Sequence, residues 1–158
     1  MRKTVIDPAT IRVGKRPEEK WLEIEHVAKV ELTSEDENFP IESALGPGRG
    51  PGWRASKTGE QVIRLVLDKP RRIRRIRVEF SEAEIERTQE FTLGWSAKEG
   101  EPSREIVRQQ WNFSPKGSTH EIEDYQVDLN GVAVLELAIK ADLRADNAFA
   151  NLTAWRIL

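Results

Sequence analysis

Cysteine is missing from all 158 residues. That absence excludes disulfides, thiol catalysis and cysteine-bound metal together. Also missing is any apolar run near the ~20 residues that a membrane helix needs. The opening residues, Met1-Arg2-Lys3-Thr4-Val5-Ile6-Asp7-Pro8, lack the apolar centre of a signal peptide. A cytoplasmic protein with no membrane partner is therefore expected. Histidine is scarce: His26 and His120 are the two present, and they show no His-Glu-x-x-His spacing. No Gly-x-Ser-x-Gly elbow occurs either. With no catalytic group standing out, the expectation is a non-enzyme with no cofactor and no metal. An excess of one charge is lacking as well, since 25 basic residues oppose 27 acidic ones for a net −2. Nucleic acid is not an expected partner on that balance.

What is present is a β pattern. The length suits one domain. Hydrophobic content of 38% and charged content of 33% make the chain polar for a globular protein but unlike a disordered one. Residues 1–19 carry Pro8, Gly14 and Pro17 and no sustained period. They read as an N-terminal arm ahead of a single binding domain over 20–158. Residues 20–32 read as extended, with Ile24, Val30 and Leu32 on one parity and a bulge or break near His26. A long loop is expected over 33–59. It contains Pro40 and the run Gly46-Pro47-Gly48-Arg49-Gly50-Pro51-Gly52, which suits neither helix nor central strand.

Residues 61–67 predict a strand, Lys69-Pro70 a turn, and 73–80 a second strand. In the latter Ile76, Val78 and Phe80 point inward and Arg75, Arg77 and Glu79 outward. If Ile73 is buried too, a bulge must lie between it and Ile76. The polar stretch 81–87 has room for one helical turn. Strands over 90–96 and 104–113 place Phe91, Leu93 and Trp95, then Val107, Trp111 and Phe113, on one face. Asn130-Gly131 predicts a hairpin joining 121–129 to 132–141. Residues 151–158 close the chain as a strand. About eight strands with little helix predict an all-β sandwich or barrel.

The order of these pieces resembles a known family. Gly52-Trp53-Arg54-Ala55-Ser56 ends the long loop. The run Gln61-Val62-Ile63-Arg64-Leu65-Val66-Leu67-Asp68-Lys69-Pro70 follows, then Phe91-Thr92-Leu93-Gly94-Trp95-Ser96. Later come Val127-Asp128-Leu129 and Val134-Leu135-Glu136-Leu137-Ala138-Ile139-Lys140-Ala141-Asp142. Over roughly 27–158 this resembles the discoidin, or coagulation factor 5/8 type C, superfamily with its galactose-binding-domain-like fold. The resemblance implies an eight-stranded antiparallel jelly-roll β-sandwich that binds sugars, lipid heads or peptides through loops at one end. Members with a structural calcium carry an Asp-Gly in the first long loop. Here that loop reads Ala44-Leu45-Gly46-Pro47-Gly48, and calcium needs six to eight oxygens, so stability without calcium is expected.

Antiparallel strands alternate direction, so connections alternate between two ends. Loops 33–59, 81–88, 114–119 and 142–148 are expected at one end, and 69–72, 97–103 and 130–131 at the other. Binding residues concentrate on long loops over a rigid scaffold, which selects Arg49, Trp53, Arg54, Asn112, His120, Arg144 and Asn147 as ligand-binding candidates. Planar polar side chains beside an aromatic face suit a sugar. Trp53 reads equally as a cap on the sandwich. Trp95, Trp111 and Trp155 read as core. The basic stretch 64–77 holds Arg64, Lys69, Arg71, Arg72, Arg74, Arg75 and Arg77. It reads either as a polyanion patch or as a solvated face balanced by carboxylates on neighbouring strands. The Gly/Pro loop lacks the Lys-Ser/Thr of a nucleotide cradle, and Pro47 and Pro51 remove N–H donors. The leading expectation is a non-catalytic module for a carbohydrate ligand. The alternatives are an intracellular protein-interaction module or polyanion binding on the Arg-rich stretch.

Overall fold

In the computed structural model, which describes residues 1–5, 20–48 and 50–158, the elements run α1 (Ile24–Val27), β1 (Ala28–Leu32), α2 (Glu42–Leu45), β2 (Trp53–Thr58), β3 (Gln61–Ser81), β4 (Arg87–Ser96), β5 (Arg104–Phe113), β6 (His120–Lys140), β7 (Phe149–Leu152) and β8 (Ala154–Ile157). Apart from 1–5, the expected arm lies outside the described residues. Six strands share one hydrogen-bonded sheet in the order β1-β3-β6-β4-β5, with β8 also on β3, while β2 pairs with β7. All pairings are antiparallel.

The 21-residue strands β3 and β6 turn this sheet into two layers. Their first and second halves pair with different neighbours. The front half of β3 lies between β1 and the back half of β6. The back half of β3 lies between β8 and the front half of β6. At the change-over the register slips between Val66 and Arg71, between Arg71 and Ile73, and between Ile73 and Arg75. Bulges bend strands in this way. Phe80 of the back half stacks on Phe91 of β4 at 5.1 Å between ring centroids, so the two layers face each other across a shared core. The fold is the expected antiparallel β-sandwich.

Strand parity matches the sequence where both faces are defined by packing. Ile76, Val78 and Phe80 are buried, and Arg75, Arg77 and Glu79 face out, with Arg77 and Glu79 in an ion pair. Ile73 is buried together with Ile76, and the required bulge is there. Leu137, Ile139 and Trp155 are buried as well. Trp95 is half-buried rather than buried: it opposes Leu135 on the inner face, but it sits at the strand end, where the Arg104 guanidinium covers its ring at 5.1 Å.

Several expected connections differ. Lys69-Pro70 and Asn130-Gly131 do not reverse the chain. Both fall inside continuous strands, and Arg71 pairs with Val132 across the corner. Gly131 does adopt the left-handed φ of 69° that the Asn-Gly signal favours. The segments around it nonetheless pair with β3 instead of with each other, because β3 bends at the same place and extends the ladder past the corner. The break near His26 is a helical turn, α1, and not a bulge. The loop 33–59 contains α2 and the strand β2. Gly52, at φ 82°, makes the tight entry to β2, and a Cβ there would lie 2.4 Å from the Leu152 carbonyl oxygen. The closing stretch splits at Thr153 into β7 and β8, whose partners are β2 and β3. No helical turn forms over 81–87.

Candidate functional site

Thr88, at the start of β4, ties the 142–148 loop to the end of β5 at one end of the sandwich. Its Oγ1 donates to Asn112 Oδ1 at 2.8 Å, its N–H to Asp142 Oδ1 at 3.3 Å, and its carbonyl accepts from the Leu143 N–H at 2.8 Å. The Glu82 N–H donates to the Thr119 carbonyl at 2.8 Å. Loops 82–86, 114–119 and 142–148 therefore meet, as alternation of strand direction requires. The loop between β2 and β3 arrives at the same place. Gly59 and Glu60 form one wall of a cavity of about 420 Å³ whose other wall is Lys140, Asp142, Leu143 and Asp146. The opposite end keeps the 97–103 connection, since the other two expected turns are corners.

The cavity offers both hydrogen-bonding senses. Glu60, Lys140 and Asp146 have no side-chain hydrogen bond or ion pair among the described residues, so an ammonium and two carboxylates stand ready for an incoming polar ligand. Asp142 is engaged in shaping the loop: its Oδ1 also accepts from the Arg144 N–H at 3.1 Å. Beside the cavity, Phe149 follows the lining residue Ala148 and is 46% exposed. Its ring is not part of the cavity wall, but an exposed aromatic near a polar cavity is a surface for C–H stacking.

Beneath these loops lies a chain of buried polar groups. The Arg87 side chain is fully buried. It donates to Glu82 Oε1 at 2.8 Å, to the Ala141 carbonyl at 2.8 Å and to Gln89 Oε1 at 3.2 Å, and it lies 4.6 Å over the Phe113 ring. Gln89 passes the chain on, donating to Glu121 Oε1 at 3.0 Å. Glu121 is fully buried. Burial, and then the neighbouring Glu123, push its pKa up to about 8, against the opposing pull of Gln89 and Arg87. Burial likewise raises the Tyr125 hydroxyl. The network anchors the loop ends: Glu82 leads one, Ala141 precedes the second and Glu121 follows the third.

The seven candidates divide. Asn112 and Arg144 come together through Thr88 and Asp142. Asn147 is exposed on the 142–148 loop. His120 is exposed, opposite Ser81, with Nδ1 2.9 Å from Thr119 Oγ1. Arg54 is exposed on β2, its guanidinium 5.1 Å over the Phe39 ring. Arg49 lies outside the described residues. Trp53 is a correction: it is 1% exposed, and its Nε1 donates to the Ser34 carbonyl at 3.1 Å. It is core, because β2 places it inward opposite Leu152. The residues missed were Glu60, Lys140, Asp142, Asp146 and Phe149. Only the polar character of 142–148 pointed there. Phe149 falls between the expected loop 142–148 and the expected strand 151–158.

The Arg-rich stretch is largely consumed by ion pairs. Arg72 meets Asp128 at 2.8 Å, Arg75 meets Asp124 in a two-pronged contact at 2.6 and 2.9 Å, and Arg64 sits between Glu31 and Glu136. These are the carboxylates on neighbouring strands that the solvated-face reading requires.

No family model and no curated protein matches the chain in sequence. Solved structures match its fold. The module CpGH89CBM32-5 from Clostridium perfringens, in complex with GalNAc-beta-1,3-galactose, superposes with a TM-score of 0.65 at 15% identity, covering 88% of this chain and 99% of that one. The family 32 module of C. perfringens NanJ, in complex with galactose, gives 0.61 at 15% identity, with 87% and 96% covered. A pectin-binding carbohydrate-binding module gives 0.61 at 16% identity, with 83% and 89% covered. The chain thus has the discoidin-like, galactose-binding-domain-like fold.

Proposed function

We propose that this chain is a non-catalytic carbohydrate-binding module that takes its ligand in the cavity between the 142–148 loop and Gly59-Glu60. The observation that carries the reading is the presence in one cavity wall of a donor, Lys140, and two acceptors, Glu60 and Asp146, none of them in a side-chain hydrogen bond or ion pair among the described residues, with the exposed Phe149 next in the chain to the lining residue Ala148. Sugar hydroxyls need both senses of hydrogen bond, and sugar C–H faces need an aromatic. The fold neighbours whose ligands are galactose, GalNAc-beta-1,3-galactose and pectin add support at the level of ligand class, although fold alone does not fix function. Of the expected residues, Arg144 and Asn147 lie on the 142–148 loop and Asn112 is joined to it through Thr88.

The test is a glycan array followed by calorimetric titration of each retained glycan. Asp146→Ala and Phe149→Ala change exposed side chains, so both variants should keep the wild-type melting temperature. Each should weaken binding about tenfold, equivalent to ~1.4 kcal/mol. An array that retains no glycan, or titrations unchanged in both variants, overturns the reading.

A further inference from the structure

A second cavity, of about 260 Å³, lies away from the loop end, where α1, the turn after α2 and strand β8 meet. Its wall includes Trp21, Glu25, His26, Leu45, Pro47 and Arg156. We propose that it binds a single neutral sugar ring, giving the module two ligand sites instead of one; this rests on the carbohydrate reading of the loop-end cavity.

Arg156 carries the argument. It stands on β8, and its Nη1 donates to the Ala44 carbonyl at 2.7 Å and to the Trp155 carbonyl at 3.1 Å. Those bonds hold the guanidinium in place against the C-terminal end of α2. No carboxylate lies within 4.0 Å of it among the described residues, and its remaining N–H groups are not sealed from solvent. Burial works against its charge, and outweighs the more distant support of Glu79. A fixed, half-buried guanidinium with open donors is built to meet acceptor oxygens arriving from outside.

The neighbouring groups decide which oxygens. The Glu25 carboxylate lies against Gly46 so closely that a Cβ there would sit 3.0 Å from Glu25 Oε1. Gly46 has an ordinary negative φ, so its lack of a side chain serves space rather than backbone conformation. Glu25 therefore presents acceptors beside the donors of Arg156. His26, with Nε2 3.7 Å from Glu23, adds a group that can act in either sense. Two glutamates against one arginine without an ion pair disfavour a carboxylate or phosphate ligand. Vicinal hydroxyls, which donate to Glu25 and accept from Arg156 at once, satisfy both.

Trp21 supplies the apolar face. The Arg75 guanidinium lies 4.7 Å from its ring centroid and steadies the indole. Leu45 and Pro47 extend the apolar wall. The volume falls just below the ~300–1,000 Å³ typical of sites for drug-sized ligands, which fits one ring and not a chain.

The experiment follows the indole N–H signals of the full chain by nuclear magnetic resonance, with Trp21→Phe assigning its own signal among the five tryptophans. The probes are galactose, N-acetylgalactosamine, fucose, glucose and mannose at millimolar concentration, with galacturonate as the anionic control. At least one neutral sugar should move the Trp21 signal. Arg156→Gln and His26→Ala should weaken that response about tenfold, and Asp146→Ala should leave it intact. His26 is exposed, so its variant holds the test open if Arg156→Gln unfolds. A Trp21 signal that no neutral sugar moves, that moves equally in both variants, or that responds more tightly to galacturonate overturns the second site. If that happens while glycan retention still depends on Asp146 and Phe149, the loop-end reading stands alone. If Trp21 responds but the loop-end variants change nothing, the second site stands and the loop-end reading falls.

Discussion

Arg87 and Arg75 are both arginines on β-strands, each bonded to a carboxylate and lying over an aromatic ring, yet they occupy opposite electrostatic regimes. The Arg87 side chain is fully buried and its partner Glu82 is 12% exposed. Arg75 is 35% exposed and its partner Asp124 33%. In the interior, Arg87 has given up water, and its hydrogen bonds to Glu82, Gln89 and the Ala141 carbonyl replace part of that solvation, while its Nη2 has no hydrogen-bond partner among the described residues. On the outer face water still competes, and the ion pair contributes little net stability. The nearby carboxyls shift in opposite directions for the same reason. Burial raises Glu121 to about 8, whereas the hydrogen bond and charge of Arg75 hold Asp124 below the usual carboxylate range. Sequence proximity to charge therefore says less about a group's role than its access to water does.

Removing Arg87 should give the largest effect. Arg87→Ala leaves Glu82 and Gln89 with unmet acceptors and releases the Ala141 carbonyl. The expected cost is about 3–5 kcal/mol by chemical denaturation. Faster amide exchange over 142–148 should accompany it, because that loop loses its anchor. A cost below ~1 kcal/mol would put Arg87 in the same class as Arg75 and dissolve the contrast.

Glu121 sharpens it further. In the fold it holds its proton up to about pH 8, while an unfolded glutamate releases it near pH ~4.3. Between those values the native chain binds more protons than the unfolded one, so this contribution to stability declines as pH rises and levels off above the folded value. Glu121→Gln keeps an oxygen to accept from Gln89 and cannot ionise. It should leave stability unchanged near pH 4 and raise it by roughly 2 kcal/mol at pH 9. Melting curves of both proteins across that range check the prediction. Parallel curves would mean that Glu121 does not titrate differently on folding.

The outer face should respond least, and with the opposite sign. Asp124 is held ionised by Arg75, so its contribution is present above the unfolded value of ~3.9 and fades as pH falls below it. Arg75→Ala should cost about 0.5–1 kcal/mol at low salt, and less at roughly 0.5 M salt, where the Debye length shrinks to a few ångströms. A loss of several kcal/mol, insensitive to salt, would show that the fold depends on this face as heavily as on the interior.

Much of the fold was legible in the residues. Strict alternation over Ile76, Val78 and Phe80 fixed an inner and an outer face, and the three-residue step back to Ile73 implied the bulge. The site was less legible. Trp53 carries the same local signals as a surface aromatic, with Gly52 before it and Arg54 after it. Its burial depends on Leu152, far along the chain. The same separation hid the cavity, whose walls come from Gly59-Glu60 and from 140–148. Phe149 is exposed because it lies on the outer face of β7, whose alternate residues Ala150 and Leu152 are buried, and which face is outer is set by the pairing with β2.

The sequence by itself determined the all-β class, the parity of the strands and the exclusion of thiol and disulfide chemistry, because alternation and composition are local properties of the chain. The tertiary structure alone decided that Lys69-Pro70 and Asn130-Gly131 are corners instead of turns, that Arg87 and Glu121 are dry while Arg75 and Asp124 are wet, and that free polar groups from distant segments share a cavity. Those outcomes depend on which strand lies alongside and how much water remains between them. Both are set by contacts between residues far apart in sequence.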